Sequence, residues 1–339
     1  EDKMKISASI YSNKKRSLKD LIKELDSVKI DMFHVDFNDK KIELDKVESD
    51  IVEIRKISKT PIDLHIISDK PSKYNNFIKR NKIEYVTYQE ENIKENFSLC
   101  DSPSTTFGLA ITSDTSIEKF EDYKNHCEFI LLMTTTPGES GGTFNKINFK
   151  KIRDFKKKYP SKKVHIDGGV NDEIALILRI HGVKSVVSGS YLVNGDIAKS
   201  LLELKSSVSD SDMPVSEFML VKEELPIIKE KESIEKALEK IETYDLGFVF
   251  VENENNDFSG VVSMADIRKS LIKNLDNFKS LRVKDIKNSE PIIINKDDSI
   301  NKMLKITQSH DFLISFVPVI NKKELVGSVT FFNLIRSES

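Results

Sequence analysis

His34 and Asp36 in FHVDFND, His65 in PIDLHII and Asp167 in VHIDGGV are imidazole and carboxylate side chains, each at the end of a short β-branched run. Side chains in an extended strand alternate with period two, so His34 and Asp36 point to one side while Phe33 and Val35 point to the other. Both can ligate one ion. With His65 and Asp167 brought from two further strands, the set can hold one divalent metal and leave a carboxylate on either side of a substrate. Taken singly, each residue has a plainer reading, a satisfied interior histidine or an aspartate capping the next element. Recurrence at three strand ends is what favours the metal.

These residues need a scaffold that gathers strand ends. Strand-like runs fall at Lys5–Ile10, Met32–Phe37, Ile62–Ile66, Tyr85–Tyr88, Phe107–Ile111, Phe129–Met133, Val164–Asp167 and Ser185–Ser188. Amphipathic helical patterns lie between them, among them SLKDLIKELDSV, SKYNNFIKRN, SIEKFEDYKNH, NFKKIRDFKKKY and NDEIALILRIHG, several opened by Ser or Asn as N-caps. This alternation predicts an α/β protein, a parallel (β/α)8 TIM barrel, with a doubly wound sheet as the rival. The barrel is preferred because every candidate site residue stands at the C-terminal end of its strand, where a barrel brings all of them to one mouth.

Glycines mark a possible anion site at the same mouth. TTPGESGGTF follows the sixth strand, DGGV the seventh and SGSYL the eighth, placing Gly138, Gly141, Gly142, Gly168, Gly169, Gly189 and Ser190 where backbone N–H groups can approach a phosphate. Turn glycines are common for conformational reasons alone, and only their clustering after strands six to eight points to a ligand.

Composition sets the frame. The chain has 339 residues, 38% hydrophobic and 32% charged, with a formal net charge of −2. That is a globular composition with core enough for two domains. Lysine-rich stretches such as KKIRDFKKKYPSKK are interleaved with apolar positions at helical spacing and read as solvated helix faces, so no nucleic-acid partner is expected. Only Cys100 and Cys127 are present and neither forms a pair motif, which excludes a disulfide framework. The longest apolar run, FILLM at 129–133, is too short for a bilayer, and the expectation is a cytoplasmic protein without a membrane partner.

The first 205 residues resemble the ribulose-phosphate 3-epimerase family of metal-dependent barrel enzymes. ISASIYS is similar to the family's opening strand with its substrate-contacting serine, here Ser9; HVDFND to its metal-binding His and catalytic Asp; LHII to the strand of the second metal histidine. LLMTTTPGESGGTF is similar to the family's phosphate loop, with Met133 kept as a pocket residue, and IDGGVN to the strand of the second catalytic Asp. The resemblance implies metal ligands His34, Asp36, His65 and Asp167, with Asp36 and Asp167 also catalytic. Zn, Fe(II), Mn and Co all suit such a set. The chain departs from the pattern at Asn38 and Ile67, where methionines are usual, at Ala8, Lys40 and Gly142, and at Gln89 in place of a histidine. His165 shares a side with Asp167 by period two and reads as an interior layer residue.

A Ser/Asp-rich stretch, LKSSVSDSDMP, suggests a domain boundary: a barrel over 4–205, a linker over 206–213 and a second module over 214–336. That module contains two similar copies, at about 214–272 and 281–336. Each has a Pro-Ile-Ile strand, an acidic cap before an amphipathic helix, two apolar strands and a Gly-x-x-[Ser/Thr] turn into a helix. The pair resembles a CBS-domain tandem, which implies adenine-nucleotide binding (AMP, ADP or ATP) through Ser263 and Asp266 in the first copy and Thr330 in the second, where Asn333 replaces the Asp. A dimerising role is the alternative.

Together these readings predict a carbon-3 epimerase of a phosphorylated ketose, most simply D-ribulose 5-phosphate to D-xylulose 5-phosphate, with a nucleotide-responsive or dimerising tail and a homo-oligomeric state, dimer or higher. A hexulose 6-phosphate as substrate, a non-catalytic sugar-phosphate or nucleotide sensor, and an assembly role are the alternatives.

Overall fold

The β-branched and aromatic runs form strands β1 (Lys5–Ser9), β2 (Met32–Asn38), β3 (Ile62–Ile67), β4 (Tyr85–Gln89), β5 (Thr106–Thr112), β6 (Phe129–Met133), β7 (Lys163–Asp167) and β8 (Ser185–Ser188). The computed structural model describes residues 3–95, 100–139, 141–207, 210–310 and 312–338. Its strands pair in parallel in sequence order, and β1 pairs with β8 to close an eight-stranded barrel. Parallel closure needs a crossover between neighbouring strands, and helices such as Leu18–Ser27, Leu44–Ile57, Ile147–Lys158 and Asp172–Ile180 supply it. The doubly wound alternative is thereby excluded.

Period two sorts the barrel's two surfaces. Along β2, Phe33, Val35 and Phe37 are buried on the outer side, beneath helices that bury Leu21, Ile22 and Leu25 or Val47, Ile51 and Ile54. Each such buried aliphatic contributes about 1.5–3 kcal/mol. The alternate residues His34 and Asp36 face the interior, where they meet Asp63 and His65 of β3. The fold is stabilised from outside, which leaves the inside free for polar chemistry.

The elements differ from the periodicity reading in helix type and in strand length. The segment after β5, expected as an α-helix, is a 3-10 helix over Ile117–Asp122, capped by Ser116. Its apolar positions Ile117, Phe120 and Tyr123 recur every three residues, which is the 3-10 repeat. Strand β4 runs one residue further than its apolar run and takes in Gln89. Of the expected linker, residues 208 and 209 lie outside the described residues, as does Ser140 of the glycine-rich loop.

Contacts divide the chain into one unit of Glu1–Ser209 with Asn333–Ser339 and a second of Asp210–Phe332. Ser211 and Met213, read as linker by composition, are bonded through their carbonyls to the backbone N–H groups of Asn301 and Ile300 within the second unit. The sequence repeat there is a structural repeat. β10 (Ile227–Lys229) pairs in parallel with β11 (Phe248–Glu252), which pairs antiparallel with β12 (Phe258–Ser263). β13 (Ile294–Asn295), β14 (Phe316–Asn321) and β15 (Glu324–Thr330) repeat the arrangement, with β9 (Leu220–Val221) added beside β15. Phe248 and Phe316 hold equivalent places in the two copies, and their rings stack at 3.6 Å. A residue packing on its own counterpart is the mark of a pseudo-twofold pair.

Phe120 is fully buried, edge-on to Phe155 at 5.0 Å and Tyr159 at 5.2 Å, and it ties the 3-10 segment to the helix Ile147–Lys158. Phe120→Ala is expected to cost about 3–5 kcal/mol. A urea titration of the full chain, followed by circular dichroism, reads the loss.

Candidate functional site

Four ligand atoms converge at the barrel mouth. One atom from each of His34, Asp36, His65 and Asp167 lies within 4.8 Å of the others. His34 Nε2 stands 3.3 Å from Asp36 Oδ1 and 3.7 Å from Asp167 Oδ2, and His65 Nδ1 stands 3.1 Å from the same Asp36 oxygen. β2 and β3 are neighbours, while β7 reaches the cluster from the far side of β8 and β1.

The electrostatics of the group call for positive charge. Burial alone would lower the pKa of His34, yet Asp36 and Asp63 outweigh it and hold the imidazole well above its ordinary value. Burial would raise Asp36, but the two histidines hold it below the carboxylate range. Asp167 goes the other way, pushed up to about 6 by burial and by the Asp36 charge. Two imidazoles and two carboxylates aimed at one point, in a setting that draws protons onto His34, fit a divalent cation.

The supporting residues lie one step down the strands. Asp63, two residues before His65, accepts from Ser7 Oγ at 3.0 Å and pairs with His34 Nδ1 at 2.8 Å. His65 Nε2 lies 2.8 Å from Gln89 Oε1. Asp63 escaped the motif reading, although period two from His65 places it on the interior face. His165 stacks on Phe129 at 4.0 Å, and burial pushes its pKa down to about 4, as befits an interior layer residue.

A cavity of about 450 Å³ opens above the quartet. Ser9, Asp36, Gly138, Gly141, Gly142, Asp167, Gly168, Gly169, Gly189 and Ser190 line it. Met133 does not; it is packed with Ala110, Phe129 and Leu131 in the interior. Tyr11, Ser12, Thr135, Asn171 and Tyr191, which stand inside the quoted motifs without having been singled out, also line the wall, as does Lys41, to which no motif pointed. Asn38, one of the departures in sequence, lines it as well.

Two of the glycines are dictated by close approach. Gly168 has φ +113°, and a Cβ there would lie 2.3 Å from Thr135 Oγ1 and 2.8 Å from its backbone nitrogen; at Gly169, φ +63°, a Cβ would lie 2.2 Å from the nitrogen of Phe144. The loops after β6 and β7 thus touch through backbone. Any side chain at either position would push apart the wall of the cavity.

In the second unit, Ser263 caps the helix Met264–Lys273, and Asp266 Oδ2 accepts from its backbone N–H at 2.9 Å and its hydroxyl at 2.6 Å. Asp266 Oδ1 carries no hydrogen bond among the described residues. Thr330 closes β15, before the helix Phe332–Glu338.

A closed parallel barrel with an acid–imidazole quartet and a glycine-rich wall at one mouth defines the class: a (β/α)8 barrel enzyme. The chain belongs to the ribulose-phosphate 3-epimerase family, whose model matches residues 5–193. It is an isomerase, an epimerase acting on carbohydrates. The CBS domain model matches twice, at residues 215–273 and 283–339. Ribulose-phosphate 3-epimerase of Helicobacter pylori is 28% identical over 218 residues, which cover 61% of this chain and 99% of the relative. That of Methanocaldococcus jannaschii is 25% identical over 210 residues, covering 59% and 88%. Among solved structures, a CBS domain-containing protein of unknown function from Bacillus anthracis covers 37% of this chain and 92% of its own, with 17% identity and a TM-score of 0.33. Among the described residues, no helix is long and apolar enough to cross a membrane.

Proposed function

We propose that the barrel interconverts D-ribulose 5-phosphate and D-xylulose 5-phosphate by inverting carbon-3, with one divalent metal held by His34, Asp36, His65 and Asp167. The observation that carries this reading is the quartet itself, whose ligand atoms lie within 4.8 Å of one another at the floor of a glycine-walled cavity. When bound, the cation supplies Lewis-acid stabilisation of the negative charge that develops on the substrate oxygens. Zn, Fe(II), Mn and Co all suit the donors.

The chain's own residues divide the remaining work. The walls at Gly138, Gly141, Gly142, Gly168, Gly169, Gly189 and Ser190 offer short backbone approaches to the phosphate, and Ser9 offers a hydroxyl to the sugar. Asp36 and Asp167 stand on strands that lie apart around the ring, so each serves one face of carbon-3. Their proton affinities are split, Asp36 low and Asp167 high. The ionised carboxylate takes the carbon-3 proton, and the protonated one returns a proton to the opposite face. The reverse reaction exchanges the roles, so the proton count is unchanged over a cycle. Asn38 and Lys41 make the wall more polar than the methionine-lined pocket of the resemblance, which keeps a hexulose 6-phosphate as the second reading.

For the tail, the reading is an adenine-nucleotide site in the first copy, held by the free Oδ1 of Asp266 and by Ser263, with Thr330 in the second copy and weaker there. A homo-oligomer through the same module is part of this proposal, as is a cytoplasmic setting.

Asp36→Asn and Asp167→Asn are each expected to abolish deuterium uptake at carbon-3 from solvent, with the circular dichroism of the barrel unchanged; near-normal turnover in either variant would refute the two-aspartate mechanism. Because Asp167 titrates at about 6, protons should compete with the metal below that value. Zinc affinity, read by chelator competition between pH 5 and 8, is expected to rise throughout, as Asp167 loses its proton near 6 and as His34, held well above its ordinary value, gives up its own. Asp266→Ala should weaken nucleotide binding by about 1.5–3 kcal/mol, the scale for a charged hydrogen-bond partner. Calorimetry of the full chain with AMP, ADP and ATP tests it, and no heat with any of them would leave the tandem as an assembly module.

A further inference from the structure

His65 sits at the end of a hydrogen-bonded chain that runs away from the quartet. Its Nε2 meets Gln89 Oε1 at 2.8 Å, and Gln89 Nε2 donates to Glu91 Oε2 at 2.6 Å. The other Glu91 oxygen accepts from the backbone N–H of Thr112 at 2.8 Å and from the Thr115 hydroxyl. Burial opposes ionisation of Glu91, and these hydrogen bonds outweigh it, holding the carboxyl below its ordinary range.

The direction of every bond in this chain follows from donor chemistry. An ionised carboxylate only accepts, so the side of Gln89 facing Glu91 must be its NH2 group. The amide oxygen of Gln89 therefore faces His65, and that oxygen only accepts. His65 must then donate from Nε2. A neutral imidazole carries one ring proton, so the lone pair is on Nδ1, which stands 3.1 Å from Asp36 Oδ1 with the cation's place between them; without the cation only a proton on Nδ1 can bridge it to that carboxylate. His34 is set the opposite way: Asp63, itself only an acceptor when ionised, takes the proton on Nδ1 at 2.8 Å and leaves Nε2 to face Asp36 and Asp167.

We propose that Gln89 and Glu91 are positioning residues that hold His65 as its Nε2–H tautomer and make Nδ1 its metal-binding atom, opposite to the tautomer that Asp63 imposes on His34. This rests on the reading of the quartet as a metal site. Gln89 is fully buried and does not line the cavity, so it acts on the reaction only through His65.

The test uses the full chain stripped of metal and titrated with zinc. Gln89→Leu keeps the bulk but removes the acceptor, and zinc affinity should fall about 10–100-fold, the usual cost of losing such an outer partner. Glu91→Gln leaves the Gln89 amide free to turn over and should cost about tenfold. This second variant changes a residue at the solvent edge, so it stays informative if Gln89→Leu fails to fold. Gln89→His should keep affinity within about threefold, because one ring nitrogen can donate to Glu91 while the other accepts from His65.

Long-range ¹H–¹⁵N spectra of histidine-labelled protein read the tautomer directly. The zinc-loaded wild type should show His65 bound through Nδ1 and His34 through Nε2. Zinc bound to His65 through Nε2, or unchanged zinc affinity in both Gln89→Leu and Glu91→Gln, would overturn the proposal. If the wild type takes up no zinc, cobalt, manganese or iron, the metal reading fails instead. The metal-free spectrum at pH 8 then decides the tautomer by itself: a proton on Nε2 of His65 upholds the positioning role, and a proton on Nδ1 with none on Nε2 overturns it.

Discussion

The arrangement depends on one electrostatic constraint: Asp36 and Asp167 must share a small volume with two buried imidazoles at the floor of the cavity. Like charges that close repel by several kcal/mol in a medium of effective dielectric about 20. The barrel meets this by giving the charges partners from both sides. His34 and His65 approach Asp36 directly, and Asp63 stands behind His34 with its own charge balanced by that ring and by Ser7. The split follows from unequal partners: burial and the Asp36 charge push Asp167 up, while at Asp36 the two histidines outweigh burial and hold it low. Under the proposed mechanism, that split separates the base from the acid.

Such a cluster costs folding free energy, and the outer layer offsets it. Phe33, Val35 and Phe37 share β2 with the site residues but point the opposite way, into the contact with the surrounding helices. Strand alternation thus lets one short segment do both tasks. The charge around the quartet is tolerated because His34, Asp36, Asp63 and His65 are each hydrogen-bonded, which is the condition for burying charge at all.

The second unit reuses one design twice. Phe248 on Phe316 places equivalent residues in contact, so each copy covers the apolar face that the other leaves open. Behind that shared seam the first copy keeps a core of its own, with Ile228, Ala237, Val249, Val251 and Val262 buried together. The copies differ where ligand chemistry would sit, with Asp266 in one and Asn333 in the other.

The barrel, the tandem repeat and the four residues His34, Asp36, His65 and Asp167 were legible in the sequence, because period two and strand-end placement are local properties that a barrel converts directly into convergence. The 3-10 segment after β5 was misread as α-helix, since three-residue and 3.6-residue spacings are hard to tell apart over two turns. Lys41 came to the cavity wall without any signal, and Tyr11, Ser12 and Thr135 were passed over inside their motifs, for loop residues have no periodicity and their placement follows from which strands are neighbours. The same holds for the chain Thr112–Glu91–Gln89–His65, which joins three strand ends. Residue types determined what chemistry the protein could hold, and only the closed ring of strands, by fixing who faces whom across its interior, decided which atom of each residue would face the centre.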